Sequence, residues 1–283
     1  MPFTTLISTA ELADETANPS WVVVDCRFDL ANVDWGHREY LARHIPRAVY
    51  AHLDADLSGA KTGTNGRHPL PDADALRHTL SRFGVARDTQ VVAYDEGSGM
   101  YAARLWWLLR WMGHDAVAVL DGGFAKWTAE DRPTITGEEV NARREFSGEP
   151  RAEMTVDAAR VESLRSDGAW RLVDARAPER FRGDVEPIDR VGGHIPGAVN
   201  RFFKSNLNEA GVFRSPSELR QQLSDLAAGV TPDHIVNSCG SGVTACHNLL
   251  ALEHAGMGGA KLYPGSWSEW SSDPNRPVGR GDT

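Results

Sequence analysis

The chain has 283 residues, a formal net charge of −9, three cysteines and ten histidines. That length allows one large or two ordinary domains, each with enough core to be stable, and the acidic balance argues against a nucleic-acid surface. No apolar run is long enough to span a bilayer, so no membrane association is expected. The widely spaced cysteines form neither a disulfide framework nor a zinc pattern, and no metal or cofactor is expected. Residues 1–8 lack the basic region of a secretory signal and the arginines of a transit peptide, which with the cysteine usage points to the cytoplasm.

In chain order, Ser8-Thr9-Ala10-Glu11 reads as a capping box opening a short helix, because each residue can satisfy a backbone N–H of the other. Trp21 to Arg27 reads as a buried strand, β-branched and continuous as parallel strands tend to be. His44-Ile45-Pro46 turns into another short strand, and residues 57–72, with three glycines and two prolines, form a loop. A helix is expected over 74–83, a strand over 90–94, a helix rich in Trp and Leu over 100–112, and a strand over 117–120. The aromatic run Trp106, Trp107, Trp111 reads as a packing face. Strands alternating with helices predict an α/β fold with a largely parallel sheet.

Residues 135–153 are polar and turn-rich, the composition of a linker, and the pattern then begins again. Val24-Asp25-Cys26-Arg27 is echoed by Val173-Asp174-Ala175-Arg176, and His44-Ile45-Pro46 by His194-Ile195-Pro196. Residues 91–127 align without a gap against 234–270, placing Gly97-Ser98-Gly99 on Gly240-Ser241-Gly242 and Trp127 on Trp270. Three matches in one order indicate an internal duplication. The expected organisation is a first domain over 1–134, a linker over 135–153 and a second domain over 154–283. Pairs present in both copies, Asp25–Arg27 and Asp174–Arg176, read as structural ion pairs, and His44 and His194 as turn residues.

The two copies differ at one telling place. After the strand ending at Ile235-Val236, Cys239 stands before Gly240-Ser241-Gly242-Val243-Thr244 and a helix. A thiol at a helix start meets unpaired N–H groups and the positive end of the helix dipole, which favour the thiolate. The glycines allow those N–H groups to converge in an anion-binding nest. On the gapless register the first copy has Glu96 in place of Cys239 and Asp95 in place of Ser238, so a carboxylate would fill one loop and a thiolate the other. Phosphate chemistry is disfavoured, since the bidentate arginine it needs six residues after the cysteine is Ala245 here. A short loop suits a single sulfur atom held on Cys239 as a persulfide. Cys26 and Cys246 read as packed and unreactive.

Taken together, Asp174-Ala175-Arg176, His194-Ile195-Pro196-Gly197-Ala198, Cys239 to Ala245 and Gly265-Ser266-Trp267-Ser268-Glu269-Trp270 make the chain resemble the tandem-domain rhodanese family of sulfurtransferases. The resemblance implies two rhodanese-like domains, each a mostly parallel sheet flanked by helices, the first non-catalytic and the second catalytic, with the active site between them. Cys-Gly-Ser-Gly-Val-Thr is the loop of the mercaptopyruvate type, whereas the thiosulfate type has Arg-Lys after the cysteine. The implied route is ping-pong: sulfur passes from 3-mercaptopyruvate to Cys239, pyruvate leaves, and the outer sulfur goes to a thiol acceptor such as thioredoxin, or to cyanide. A thiosulfate:cyanide sulfurtransferase and a non-catalytic persulfide carrier are the alternatives, and a monomer is expected.

The resemblance also suggests roles. Gly240, Gly242 and Val243 would supply loop amides, and Thr244 and Ser266 hydroxyls for the sulfur anion. Ser241 would work with His68, which matches a first-domain histidine of the mercaptopyruvate type. Arg180 matches a substrate-binding arginine. A second carboxylate-binding arginine is expected nine residues later, where this chain has Asp189, leaving Arg190 as the candidate and Arg182 as a weaker one. The relatives' first-domain aspartate falls on His52, with Asp54 two residues on, so the third member of a Ser241–His68 relay is open between them.

Overall fold

The computed structural model describes residues 1–282. The chain divides into two compact units: Met1–Gly59, Pro71–Arg151 and Glu209–Phe213 form the first, while Ala60–Leu70, Ala152–Asn208 and the chain from Arg214 on form the second. Short segments therefore cross the boundary that the repeat suggests, and the loop carrying His68 belongs to the second unit.

The first unit runs β1 (Leu6–Ile7), α1 (Thr9–Glu15), β2 (Trp21–Asp25), α2 (Trp35–Ala42), β3 (Ala48–Tyr50), α3 (Ala73–Arg82), β4 (Gln90–Tyr94), α4 (Ala102–Trp111), β5 (Val117–Leu120) and α5 (Gly123–Ala129). Its sheet has the order β1-β5-β4-β2-β3 and is parallel throughout. The Ser8–Glu11 capping box is present, with Glu11 N–H donating to Ser8 Oγ and Ser8 N–H to Glu11 Oε2. In the core, Val23, Val92, Ala118, Phe124 and Trp127 pack together. The expected aromatic face on α4 is buried as well, Trp106 and Trp107 each at 1 % exposure.

The second unit repeats the plan with α6 (Ala158–Leu164), β6 (Arg171–Asp174), α7 (Pro178–Arg182), β7 (Ala198–Asn200), α8 (Pro216–Ala227), β8 (Ile235–Ser238), α9 (Thr244–His254), β9 (Lys261–Leu262) and α10 (Ser266–Trp270). Its sheet is parallel in the order β7-β6-β8-β9. Val161, Leu172, Phe181, Val236, Trp267 and Trp270 form its core. Corresponding tryptophans make the same bond in each unit: Trp127 Nε1–H donates to Pro133 O and Trp270 Nε1–H to Pro277 O, both at 2.9 Å.

The repeated polar residues are structural, as expected. Arg27 closes on Asp25 at 2.7 Å and caps the Arg43 carbonyl, while Arg176 closes on Asp174 at 2.7 Å and caps the Gly193 carbonyl. All four side chains are buried, and removing one member of such a pair would strand a charge at a cost of about 3–5 kcal/mol. His44 and His194 bond through Nδ1 to the carbonyls of Tyr40 and Phe181. The polar stretch read as a linker is held against the first unit as far as Arg151: Ile135 bridges His44, Phe146 is 5 % exposed, and Arg151 N–H donates to Trp111 O.

Hydrogen bonding corrects the gapless register of the two copies. Asp25 pairs with Tyr94 on β4, and its counterpart Asp174 pairs with Ser238 on β8. Phe124 N–H donates to Asp95 O, and its counterpart Trp267 N–H donates to Cys239 O. Asp95, not Glu96, therefore occupies the position of Cys239. The first loop carries one residue more before the registers rejoin at Gly99 and Gly242, whose φ angles are 77° and 76°.

Candidate active site

In the second unit the chain leaves β6 towards β7 on one side of the sheet and β8 towards β9 on the other. Cys239 follows the carboxyl end of β8, at this switch point, where parallel sheets open a crevice for ligands. The loop is held from beneath: Cys239 N–H donates to Ser266 Oγ at 3.1 Å, Trp267 N–H to Cys239 O at 3.0 Å, and Ser268 N–H to Gly240 O at 2.9 Å. Gly242 N–H points at the sulfur and donates to Cys239 Sγ at 3.2 Å. Directly after the loop, Thr244 begins α9, so the positive end of that helix dipole adjoins the thiol. Cys239 itself is 2 % exposed.

The first unit shows what the same nest does with a carboxylate. Asp95 Oδ1 accepts from the N–H groups of Gly97 and Gly99, and Oδ2 from those of Tyr101 and Ala102. Burial pushes the Asp95 carboxyl up, and these N–H bonds pull the other way. Glu96, which the gapless register had placed opposite Cys239, stays 57 % exposed and lies 3.8 Å from Arg27.

Around Cys239 the structure gathers several of the expected residues. Ser241 Oγ lies 2.7 Å from His68 Nδ1, both side chains buried. Gly240 presents its open face to two guanidinium groups: a Cβ built there would lie 2.8 Å from Arg67 Nη2 and 3.7 Å from both terminal nitrogens of Arg180. Val243 caps α9 and is buried, and Thr244 is half-buried at the first helical position. Ser266 departs from expectation. Its hydroxyl donates to Tyr263 O at 2.9 Å and accepts the Cys239 N–H, so it is committed to backbone and holds the cysteine in place rather than facing the sulfur. Its φ of 53° is strained for a non-glycine residue, and these bonds fix it there.

Arg180 donates through Nε and Nη2 to Glu186, at 2.6 Å for the shortest contact, and through Nη2 to Asp189 at 3.2 Å. Burial acts to raise the Glu186 carboxyl, but Arg180 and the N–H groups of Asp189 and Ile188 outweigh it and hold the group below its usual range. Burial pushes the Asp189 carboxyl up, opposed by Arg67 and Arg180. Arg190 is exposed, and Arg182 pairs with Asp184 at the surface. His52 and Asp54 belong to the first unit, where His52 Nδ1 accepts the N–H groups of Asp54 and Ala55 in a tight turn. Cys26 is buried, and Cys246 is packed on α9 with its thiol 3.3 Å from Gly242 O.

Arg67 is the residue that sequence reasoning passed over. It forms an ion pair with Asp189, and its backbone N–H donates to Ser268 Oγ. Its only signal was adjacency to His68 in Gly66-Arg67-His68. Among the described residues no cluster of His, Cys, Asp and Glu is arranged to hold a metal ion, and no helix is long and apolar enough to cross a membrane.

Comparison with known proteins agrees with this architecture. The Rhodanese-like domain family matches residues 8–130 and 157–273. A Pseudomonas aeruginosa protein named "Probable 3-mercaptopyruvate sulfurtransferase" is 47 % identical over 279 residues, covering 98 % of each chain. The thiosulfate sulfurtransferase of Rattus norvegicus is 33 % identical over 276 residues, covering 94 % of this chain and 91 % of its own. The crystal structure of SseA from Escherichia coli, described under the rhodanese fold of 3-mercaptopyruvate sulfotransferases, superposes with a TM-score of 0.81 at 32 % identity, over 94 % of this chain and 99 % of that one. With two matched copies and a relative similar along nearly its whole length, the chain belongs to the rhodanese family, in its tandem two-domain form.

Proposed function

We propose that this protein is a 3-mercaptopyruvate sulfurtransferase whose sulfur carrier is Cys239. The observation that carries the reading is the position of Cys239 Sγ in a glycine loop, receiving the Gly242 N–H, with guanidinium groups at the open face of Gly240. In this reading the Cys239 thiolate attacks the donor sulfur and a sulfur–sulfur bond forms. The donor's carbon–sulfur bond breaks, its electron pair passing to the carbon of a pyruvate enolate that then takes up a proton. Loop N–H groups stabilise the anionic outer sulfur, as donors do in an oxyanion hole. An acceptor thiol or cyanide then removes that sulfur and restores the Cys239 thiolate.

In this reading His68 and Ser241 move a proton near the loop, a role their 2.7 Å contact supports, and Arg180 holds the donor carboxylate. Local charge favours the keto acid over thiosulfate. Arg67, Arg176 and Arg180 stand against Asp174, Glu186 and Asp189, three cations to three anions, an arrangement suited to a monoanion better than to a dianion. The P. aeruginosa and E. coli relatives carry mercaptopyruvate in their names, and the rat relative thiosulfate. The test is cyanide-trapped turnover with each donor, compared as kcat/KM. A larger value for 3-mercaptopyruvate is expected, and an equal or larger value for thiosulfate overturns the substrate assignment.

A further inference from the structure

The first unit repeats the plan of the second and carries a crevice at the corresponding place. Its chain leaves β2 towards β3 on one side of the sheet and β4 towards β5 on the other, and ligand crevices open at such switch points. The cavity there, between the residues that follow β2 and those that follow β4, has a volume of about 620 Å³, within the range of small-molecule sites. We propose that this crevice is a second ligand site, taking a small organic ammonium ion with an aromatic or aliphatic body. The proposal concerns the first unit alone and does not depend on the reading of Cys239.

Three observations support it. First, the nest of the first unit is already filled. Asp95 holds the position that Cys239 has in the second unit, and its carboxylate takes the N–H groups of Gly97, Gly99, Tyr101 and Ala102. That set has no N–H to offer an anionic ligand. Second, the charge at the crevice has one sign. Asp29, Asp95 and Glu96 line it, and none of the lining residues is Lys, Arg or His. Arg27 comes within 3.8 Å of Glu96, but it is 2 % exposed and closed on Asp25. Burial pushes the Glu96 carboxyl up, Arg27 opposes it, and Asp25, Asp95 and Glu39 add to it; a cation here would relieve that repulsion. Third, the walls are aromatic. Phe28 and Tyr101 meet edge to face at 5.6 Å, and Trp35, Met100 and Leu30 continue the apolar surface, Leu30 with 47 % of its own area exposed. Ring faces attract cations through their quadrupole, and apolar walls cover the body of a ligand. A bare metal ion would use none of these walls, and an anion would meet three carboxylates.

The competing account is a solvent-filled remnant of the duplication that selects nothing. The 2-phenylethylammonium ion, its uncharged counterpart 2-phenylethanol and the anion 3-phenylpropanoate would be titrated into the full chain at neutral pH, with affinity read by calorimetry. The ammonium ion should bind at least about tenfold more tightly than the alcohol, and the carboxylate should not compete with it. Added salt should weaken the ammonium ion and leave the alcohol unchanged. Glu96→Gln and Asp29→Asn should each weaken the ammonium ion about two- to fivefold. Asp29→Asn keeps the Oδ1 that accepts the Ala31 and Asn32 N–H groups, so its turn should hold. Cys239→Ser should bind the ammonium ion as wild type does. Equal affinity for ammonium ion and alcohol, or no ammonium binding up to about 10 mM, overturns the proposal, and neither result needs a variant to fold. An affinity unchanged in Glu96→Gln/Asp29→Asn, or lost in Cys239→Ser, puts the ligand elsewhere and overturns it too.

Discussion

Gly242 and Gly211 share a φ of 76°, yet they stand in different surroundings, and substituting alanine at each separates backbone strain from crowding. At Gly211 a Cβ would meet nothing within 4 Å. Gly211→Ala should therefore cost only the left-handed penalty of a side chain, roughly 1–2 kcal/mol. At Gly242 the same Cβ would lie 2.4 Å from the Pro264 carbonyl oxygen, a backbone atom that cannot swing aside. Overpacking adds about 1–3 kcal/mol, so Gly242→Ala should cost about 2–5 kcal/mol in all. Relief of the clash must move the loop, and the Gly242 N–H moves with it, away from Cys239 Sγ. Losing one preorganised donor to a developing anion lowers kcat about 10²–10³-fold. Thermal unfolding and steady-state sulfur transfer would be measured on both variants. Gly211→Ala should keep wild-type turnover. If the two variants lose equal stability, or if Gly242→Ala turns over within about threefold of wild type, the reasoning about the loop is wrong.

Cys239→Ser should abolish sulfur transfer, whereas Cys26→Ser and Cys246→Ser should retain it, as read by cyanide-trapped turnover; substantial activity in Cys239→Ser would refute the mechanism. Asp95→Asn should lower stability by about 2–4 kcal/mol, because an amide NH₂ cannot accept the Tyr101 and Ala102 N–H groups, and a urea-unfolding change below about 1 kcal/mol would contradict that. The Lys126 hydrogen bond, with those of Thr9 and Arg132, lowers the Glu130 pKa to about 2. A carboxyl depressed in the folded state contributes stability above its unfolded pKa and loses it on acidification. The melting-temperature gap between wild type and Glu130→Gln should therefore be full above about pH 4.5 and close towards about pH 2; a gap independent of pH would exclude this pairing.

Much of the fold was legible because its determinants are local. The β-branched run at Val22-Val23-Val24, the Ser8–Glu11 box and the paired tryptophans Trp127 and Trp270 each announce their environment through neighbouring residues. The Cys239 loop was legible for the same reason, as cysteine, glycines and helix start lie in one short run. The alignment of the copies misled by one residue, because glycine spacing matched the loops' ends while strand pairing sets their beginnings. Arg67 and Asp189 were hidden for a different reason. Their meaning lies in an ion pair between residues far apart in sequence, and neither bears a mark of it nearby. Ser266 looked like a donor to sulfur because nothing local revealed that its proton goes to Tyr263.

The crossing of Ala60–Leu70 into the second unit bears on how the protein can be taken apart. The duplicated half that carries Cys239 does not contain His68, the hydrogen-bond partner of Ser241. A polypeptide begun at residue 152 would retain Cys239, Ser241 and Arg180 but lack both Arg67 and His68. The inherited repeat and the compact unit around Cys239 thus have different borders. A severed second half would be expected to regain those side chains only from a first half supplied separately, making the two copies complementing fragments rather than independent enzymes.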